Sequence, residues 1–377
     1  MVRWDSRGPG ASGRAPGLWV VVACLLAATP SLGQAQEDPA VSSMRQRHRH
    51  GGVRVTAAGE GADRFYLFEP ADPVPERAPV VFFHHGWRGI NPLNFGSWID
   101  HLVRRGVVVV FPVYQDPDRT SPREALRRAL QADRAAFRLL SGKGHVRPDD
   151  RRVLSFGFSM GASISVGLAA GAARLGLPAI RGLLLLHPGD ARHVASGTEA
   201  RSILRDIGKV PRETRVVVLT GDEDRLVGDQ TAKDILERLC HLPPDRRTWW
   251  RLRSGRQGDL HAVAGHGAPG APDPRYDFGA DGSAWPRRIP EGEWPSPSKS
   301  LNLLDLYGYW RWGDALVDEV MAGLPGAPAL GPPPDPASMG RWPDGTPFPA
   351  AEAPPDVCRN TAGKGRQGRR LEPPDRR

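Results

Sequence analysis

The 377-residue sequence has few cysteines, no repeated unit and no apolar run long enough to cross a bilayer comfortably. The absence of a fixed repeat excludes repeat architectures. No recognised nucleic-acid-binding motif accompanies its basic residues, so DNA and RNA binding are not expected. The remaining composition, 40% hydrophobic and 25% charged residues, is that of a globular protein. The length suits one large domain with additional segments at its ends.

The first 35 residues have the order of features typical of an export signal. Leu18–Ala28 is a short apolar run, and small residues follow it. We expect cleavage near Gly33 or Ala35, with an uncleaved anchor as the alternative. Cys24 lies inside the apolar run, which is the wrong place for lipoprotein attachment. The basic residues that precede the run are Arg3, Arg7 and Arg14. The sequence thus predicts a periplasmic or secreted protein.

Only two of the three cysteines, Cys240 and Cys358, lie beyond this leader. In an oxidising compartment they can pair and attach the C-terminal tail to the body. The alternative is a buried Cys240 at a helix end and a free Cys358.

The net charge is +9, and removal of residues 1–35 leaves +7. Part of this excess lies at the two ends of the chain. Basic flexible ends can make weak contacts with anionic surfaces, although solvated tails are the simpler interpretation. The basic residues concerned are Arg45, Arg47, Arg49, Arg366, Arg369, Arg370, Arg376 and Arg377.

Short apolar runs alternate with amphipathic segments, which predicts an α/β fold with a mainly parallel sheet covered by helices on both faces. We expect a flexible segment at 36–50, one domain at 51–350 and a basic, disordered tail at 351–377. Such sheets place their chemistry in loops at the carboxyl ends of the strands. The predicted strands cover 53–55, 65–68, 79–83, 107–111, 152–156, 181–186, 215–219 and 249–252. The predicted helices cover 95–103, 121–140, 162–172, 229–240 and 303–320.

The strongest motif is the G-x-S-x-G pentapeptide at 157–161, between a predicted strand and a predicted helix. This context is typical of a nucleophile elbow, with Ser159 on a strained turn. Gly157 and Gly161 leave room where strand and helix backbones pass closely. We therefore expect Ser159 to be a nucleophile.

An oxyanion hole needs backbone N–H groups fixed in advance. Met160, which follows the serine, supplies one N–H, and Trp87 in the loop after the third strand supplies the other. Gly86 lets this loop turn close to the substrate, and His85 is interpreted as a hydrogen-bond donor that fixes the loop. The adjacent His84 and His85 do not predict a metal site, because no cysteine or carboxylate lies at ligand spacing.

Two later loops supply a carboxylate and an imidazole. After the strand at 215–219, Asp224 is the expected acid that orients the base, and Asp222 is the alternative. After the last strand, His266 is the expected base, and His261 is the alternative. The chain order Ser, Asp, His is that of α/β-hydrolases.

Together, these motifs resemble the α/β-hydrolase superfamily over about residues 51–322. The segments at 302–310 (NLLDLYGYW) and 338–345 (SMGRWPDG) resemble an exported bacterial branch of it, which implies that the fold continues to about 350. The resemblance implies the α/β-hydrolase fold and the residue roles given above.

The expected activity is hydrolysis of a carboxylic ester, small or lipid-like, through an acyl-enzyme and without a cofactor. A serine peptidase, a thioesterase and a non-catalytic binding protein that keeps the fold are the alternatives. The aromatic, Pro- and Gly-rich stretch at 270–300 follows His266. It is interpreted either as part of a lid or acyl pocket or as a surface loop packed on the body.

Overall fold

The structure is a computed structural model that describes residues 44–116, 120–190, 203–279, 300–322 and 335–359. Its centre is an eight-stranded sheet in the order β1-β2-β4-β3-β5-β6-β7-β8. Strand β2 is antiparallel to both of its neighbours, and the other pairs are parallel. The predicted α/β class with a mainly parallel sheet is confirmed. The strands are β1 Gly52–Ala58, β2 Phe65–Ala71, β3 Arg77–His84, β4 Val108–Pro112, β5 Arg147–Phe158, β6 Ile180–Leu186, β7 Arg215–Gly221 and β8 Arg247–Leu252.

Helices cover both faces of this sheet, because successive strand side chains point to opposite sides. Val81 and Phe83 of β3 belong to one apolar cluster, together with α1 and α5. Val80 and Phe82 of the same strand belong to a second cluster, with α2, α3 and α4. The helices are α1 Gly96–Arg104, α2 Pro122–Leu140, α3 Met160–Leu175, α4 Gln230–Arg238 and α5 Arg311–Ala322.

The ends of two helices follow from single residues. Ser121 caps α2, where its hydroxyl accepts a hydrogen bond from the Glu124 amide at 3.3 Å, and Pro122 occupies the first turn. Gly176 ends α3 at a φ of +70°, a left-handed conformation that glycine adopts without strain. Helix α3, which begins directly after Ser159, thus has a defined end at Gly176.

Two elements differ from the sequence expectations. A small hairpin, β9 Gly255–Gln257 and β10 Leu260–Ala262, lies between β8 and His266. Its strands have three residues each, and only one of the six residues is buried, so no apolar run signals them. The predicted closing helix begins as a π-helix, Leu304–Trp310, before α5. This wider turn has a role in the site described below.

Packing extends past both predicted domain boundaries, 51 and 350. At the N-terminal side, Arg47 forms ion pairs with Asp314 and Asp318 of α5, and His48 Nε2 lies 3.0 Å from His101 Nδ1 of α1. Residues 44–50 are therefore attached to the body.

The C-terminal segment, residues 335–359, also packs on the body. Phe348 and Ala351 belong to the apolar core, and Glu352 forms a backbone bridge with Arg251 of β8. A disulfide joins Cys358 to Cys240, just after α4. The first nine residues of the predicted tail 351–377 thus lie on the body, and residues 360–377 lie outside the described residues.

The described part of the stretch at 270–300 packs on the domain. The Tyr276 hydroxyl donates to Asp100 at 2.6 Å, and the Phe278 ring stacks on Tyr66 with centroids 4.7 Å apart. Residues 280–299 and the leader at 1–35 lie outside the described residues. Within the described ranges, no helix combines the length and apolar character needed to cross a membrane.

Candidate active site

Ser159 lies between β5 and α3, in the backbone conformation expected of a sharp strand-to-helix turn. Its φ is +55° and its ψ is −123°, a combination that costs a non-glycine residue free energy. The Ser159 amide donates to Leu186 O at 2.9 Å, and its carbonyl accepts from the Gly189 amide at 3.0 Å. These bonds to the end of β6 hold the turn in place.

The glycines around Ser159 are required by close backbone contacts. A Cβ on Gly157 would lie 2.4 Å from Gly161 O, and a Cβ on Gly161 would lie 2.1 Å from His84 O. A Cβ on Gly86 would lie 3.1 Å from the Ser159 Cβ. The start of α3, the end of β3 and the loop carrying Trp87 are therefore packed against one another with no space for side chains.

His266 and Asp224 meet Ser159 in a line of hydrogen bonds. Ser159 Oγ lies 2.9 Å from His266 Nε2, and His266 Nδ1 lies 2.9 Å from Asp224 Oδ2. His266 is fully buried, and Ser159 is 8% exposed. Asp224 Oδ1 accepts from the amides of Leu226 and Val227, at 3.1 Å each, which fixes the carboxylate in its loop after β7.

The two alternative residues lie elsewhere. Asp222 accepts from the Ser254 amide at 2.8 Å and from the Arg253 side chain at 3.2 Å, so it stabilises the loop after β8. His261 is exposed on β10, where its register partner is Arg256. The geometry thus brings His266 and Asp224, rather than His261 and Asp222, to the serine.

A second histidine, His187, binds the same carboxylate and was not predicted. It follows β6, and its Nδ1 lies 2.8 Å from Asp224 Oδ2, the oxygen that also binds His266. Its Nε2 lies 2.8 Å from the hydroxyl of Tyr309, in the π-helix. Both side chains are fully buried. The available signal was a histidine at the carboxyl end of a buried strand, the edge where such sheets place their chemistry.

These contacts keep Asp224 ionised. Burial alone would raise the pKa of its carboxyl group. The hydrogen bonds from His187 and His266 outweigh burial and hold this pKa well below its usual range. An ionised carboxylate only accepts hydrogen bonds, so both Nδ1 atoms carry protons and donate to it. In the neutral tautomer that carries its proton on Nδ1, His266 Nε2 accepts a hydrogen bond from the Ser159 hydroxyl.

The loop after β3 is held by His85. Its ring nitrogens lie 2.6 Å from Gly86 O and 2.7 Å from Val113 O. Burial lowers the pKa of His85 to about 4, more than these carbonyls raise it, so the ring is neutral at pH 7 and donates to one of them. The Tyr114 ring stacks on His85 at 4.0 Å, and its hydroxyl donates to the His85 carbonyl. This arrangement agrees with the expected role of His85 in fixing the loop.

Each of the expected oxyanion donors, Met160 and Trp87, is next in sequence to a residue of the site. Met160 is the first residue of α3, so its N–H has no partner within the helix. Trp87 follows Gly86, whose backbone lies against Ser159, and the turn is closed by a bond from the Gly89 amide to Gly86 O at 3.0 Å. The N-terminal end of α3 also favours negative charge beside Ser159.

His84 belongs to a separate buried group behind the site. Its Nε2 lies 3.1 Å from Asp133 Oδ2 in α2, and its Nδ1 lies 2.9 Å from Ser165 Oγ in α3. Ser155 Oγ of β5 lies 2.8 Å from Ser165 Oγ. All four side chains are fully buried. This group joins four elements around the site and is closed to solvent.

Among the described residues, His187, Asp224 and His266 place potential metal ligands within 4.8 Å of one another. Two imidazoles and a carboxylate are suitable ligands for zinc. However, the same atoms are already joined by hydrogen bonds of 2.8–2.9 Å, and a metal ion would have to displace those protons. The set therefore fits a proton network better than a metal centre.

Chemically, the arrangement combines a hydroxyl, an imidazole and an ionised carboxylate in one line. The imidazole is oriented to remove the hydroxyl proton, and the carboxylate is oriented to stabilise the resulting imidazolium. Neither a scan against protein-family models nor a search of curated proteins finds a match for this chain.

Proposed function

We propose that this chain is a serine hydrolase of the α/β-hydrolase fold that cleaves a carboxylic ester through an acyl-enzyme. The proposal depends chiefly on one observation: a serine at a φ of +55° whose Oγ lies 2.9 Å from His266 Nε2. The Ser, Asp, His order along the chain supports it, as do the positions of Ser159 directly after β5 and of Asp224 in the loop after β7.

In the proposed reaction, Ser159 Oγ attacks the ester carbonyl carbon while His266 Nε2 takes the hydroxyl proton. The charge on the carbonyl oxygen is stabilised by the backbone N–H groups of Met160 and Trp87. Asp224 stabilises the imidazolium and keeps the proton on Nδ1. The C–O bond then breaks, and His266 protonates the leaving alcohol.

Deacylation repeats these steps with water. His266 removes a proton from a water molecule, which attacks the acyl carbon, and the proton then returns to Ser159 as the acid leaves. Every proton and electron pair is supplied by Ser159, His266, the ester and water, so no cofactor is needed.

The test is turnover of short-chain aryl esters by the wild type and by Ser159→Ala. We expect the variant to lose at least about 10³-fold in kcat/KM. A fluorophosphonate probe should label the wild type at Ser159 and leave Ser159→Ala unlabelled. Labelling at another residue, or equal turnover by the two proteins, would refute the assignment of the nucleophile.

The base is tested with a matched pair of histidine variants. His266→Ala should lose activity to a similar extent as Ser159→Ala, because the two residues act as a unit. His261→Ala, on the exposed hairpin, should stay within about threefold of the wild type. An aryl thioester and a peptide anilide assayed in parallel separate an esterase from a thioesterase or a peptidase. Absence of any acyl-enzyme would favour the binding-protein alternative.

We also propose that the protein is exported and loses its leader. The charged, apolar and small-residue order of 1–35 supports export, as does a disulfide of the kind that persists in oxidising compartments. The intact mass of protein recovered from the periplasm or medium should correspond to a start near residue 34 or 36. A full-length mass would favour the uncleaved anchor.

Weak contact with anionic surfaces is proposed for the C-terminal residues 360–377. A chain ending at residue 359 keeps Cys358 and its disulfide, so it separates the tail from the fold. Salt-sensitive binding to anionic vesicles should be lost in this shorter chain. Equal binding by both chains would contradict the proposal.

A further inference from the structure

The chain of hydrogen bonds at the site continues beyond Asp224, through His187 to Tyr309. Each link is 2.8–2.9 Å long, and all five residues are buried. If both imidazoles are neutral, one set of proton positions satisfies every link of this series. Burial raises the pKa of Tyr309 well above its usual value, so its hydroxyl stays protonated and donates to His187 Nε2. A neutral His187 then carries its proton on Nδ1 and donates it to Asp224.

The two imidazoles compete for the same atom. His187 and His266 both donate to Asp224 Oδ2, and their ring centroids are 5.9 Å apart. A hydrogen bond from a second donor spreads the negative charge of the carboxylate over two partners. The carboxylate therefore stabilises an imidazolium at His266 less than it would with a single histidine.

We propose that His187 is a positioning residue for the reaction, which holds Asp224 through the same oxygen that binds His266 and sets the pH at which His266 becomes protonated. Tyr309 acts through His187 by fixing its tautomer. This inference rests on the proposed function, because its kinetic consequence appears in the reaction at Ser159. A residue that only filled space would not change the pH dependence of turnover.

Among the described residues, few other charged groups lie near this series of hydrogen bonds. Asp305 of the π-helix and Asp222 after β7 act on Tyr309, and both raise its pKa. Asp222 is itself paired with Arg253. None of these groups replaces the His187 proton at Asp224 Oδ2, so the effect of changing His187 can be measured against a constant background.

Two variants of His187 differ in whether they keep a hydrogen-bond donor to Asp224. His187 has a φ of +44°, which asparagine and glycine tolerate better than other residues. His187→Asn keeps an N–H donor near the Nδ1 position, whereas His187→Gly removes the donor without adding backbone strain. Thermal melting of both variants identifies any loss of folding.

The measurement is kcat/KM for an aryl ester against pH. In His187→Gly the acid limb should move to higher pH by about one unit, because Asp224 then interacts with His266 alone. His187→Asn should stay close to the wild type. Tyr309→Phe should shift the limb in the same direction by less, and it should add nothing in the His187→Gly background, since Tyr309 acts through His187.

A folded His187→Gly variant with the wild-type acid limb would overturn the proposal, as would an Asn variant shifted as far as the Gly variant. An NMR titration of the His266 ring gives the same midpoint without turnover. If the wild type hydrolyses no ester, the proposed function fails. The NMR midpoints of the wild type and the variants then still decide whether His187 sets the protonation of His266.

Discussion

One added methyl group at Gly161 should push α3 away from the loop that carries Trp87. Gly161 lies in the first turn of α3, and a Cβ there would lie 2.1 Å from His84 O and 2.4 Å from His85 O. Ordinary van der Waals contacts begin near 3.4 Å. The atoms that it meets are backbone atoms at the end of β3, so no side chain can rotate away. In Gly161→Ala, α3 and the loop carrying Trp87 must therefore move apart by roughly 1 Å.

A displacement of about 1 Å between reacting groups costs on the order of 10²-fold in rate. The strain should also lower the free energy of unfolding by about 1–3 kcal/mol, as overpacking does elsewhere. The assays are kcat/KM on a short-chain aryl ester and urea unfolding at 25 °C. We expect KM to change less than kcat, because in the proposed reaction the Met160 and Trp87 amides contact the substrate most strongly in the transition state.

Gly171→Ala is the matched control in the same helix. Its Cβ meets only the movable ends of the Leu175 and Arg174 side chains, and alanine favours helix over glycine. This variant should keep wild-type turnover. If Gly161→Ala also turns over and unfolds like the wild type, the close packing of α3 on the end of β3 is not what orients the site.

Three further predictions concern charge, pH and the disulfide. Asp224→Asn should lower kcat/KM by roughly 10³–10⁴-fold, because an amide cannot accept four hydrogen bonds, whereas Asp222→Asn should stay within about threefold. In the unfolded chain, His85 becomes protonated as the pH falls below about 6.5. In the folded protein, the buried ring has a pKa of about 4 and stays neutral over most of the range from 6.5 to 4. Stability should therefore fall by up to about 3 kcal/mol in that window, and His85→Asn should lack this part of the decline in pH-dependent urea unfolding. The double variant Cys240→Ser, Cys358→Ser should lose about 2–4 kcal/mol of unfolding free energy and keep its kcat/KM, because the bond joins the end of α4 to the C-terminal segment and touches no residue of the site.

The controls for these predictions use the same assays. Equal loss of activity in the Asp224 and Asp222 variants would mean that kcat/KM depends on the integrity of the loop after β7 and not on the Asp224 carboxylate. An unchanged pH slope in the His85 variant would assign the acid sensitivity to other groups. Treatment of the wild type with a reductant should reproduce the stability of the double cysteine variant, and a difference between them would point to the serine side chains.

The central sheet could be predicted because its strands are nearly continuous apolar runs. Val108–Val110 and Leu183–Leu186 are buried on both faces, so their sequence carries the signal of a parallel sheet in every residue. The short hairpin at 255–262 is mostly exposed and has no such signal. Its position depends on contacts with the C-terminal segment: a Cβ on Gly255 would lie 2.7 Å from the Phe348 ring.

The sharp turn at Ser159 could be predicted because local geometry dictates the residues on either side of it. A strand that turns this sharply into a helix leaves no room for side chains at Gly157 and Gly161, so the glycines of the G-x-S-x-G motif indicate such a turn. His187 has no comparable motif. Its role depends on β6 lying beside β7, which brings it to Asp224, and on a tyrosine 122 residues further along the chain. Such a partner can be identified only once the strand order and the π-helix are known.

The C-terminal segment covers an edge strand of the central sheet. Strand β8 is at the edge of the sheet, and an uncovered edge offers N–H and C=O groups to strands of other molecules. Here the N–H and C=O of Arg251 are both bonded to Glu352 at 2.8 Å, and Arg247 pairs with Asp356. The disulfide at Cys358 fastens this cover to the body. The last described residues thus shield the edge against intermolecular strand addition, so loss of the disulfide should increase aggregation before it affects catalysis.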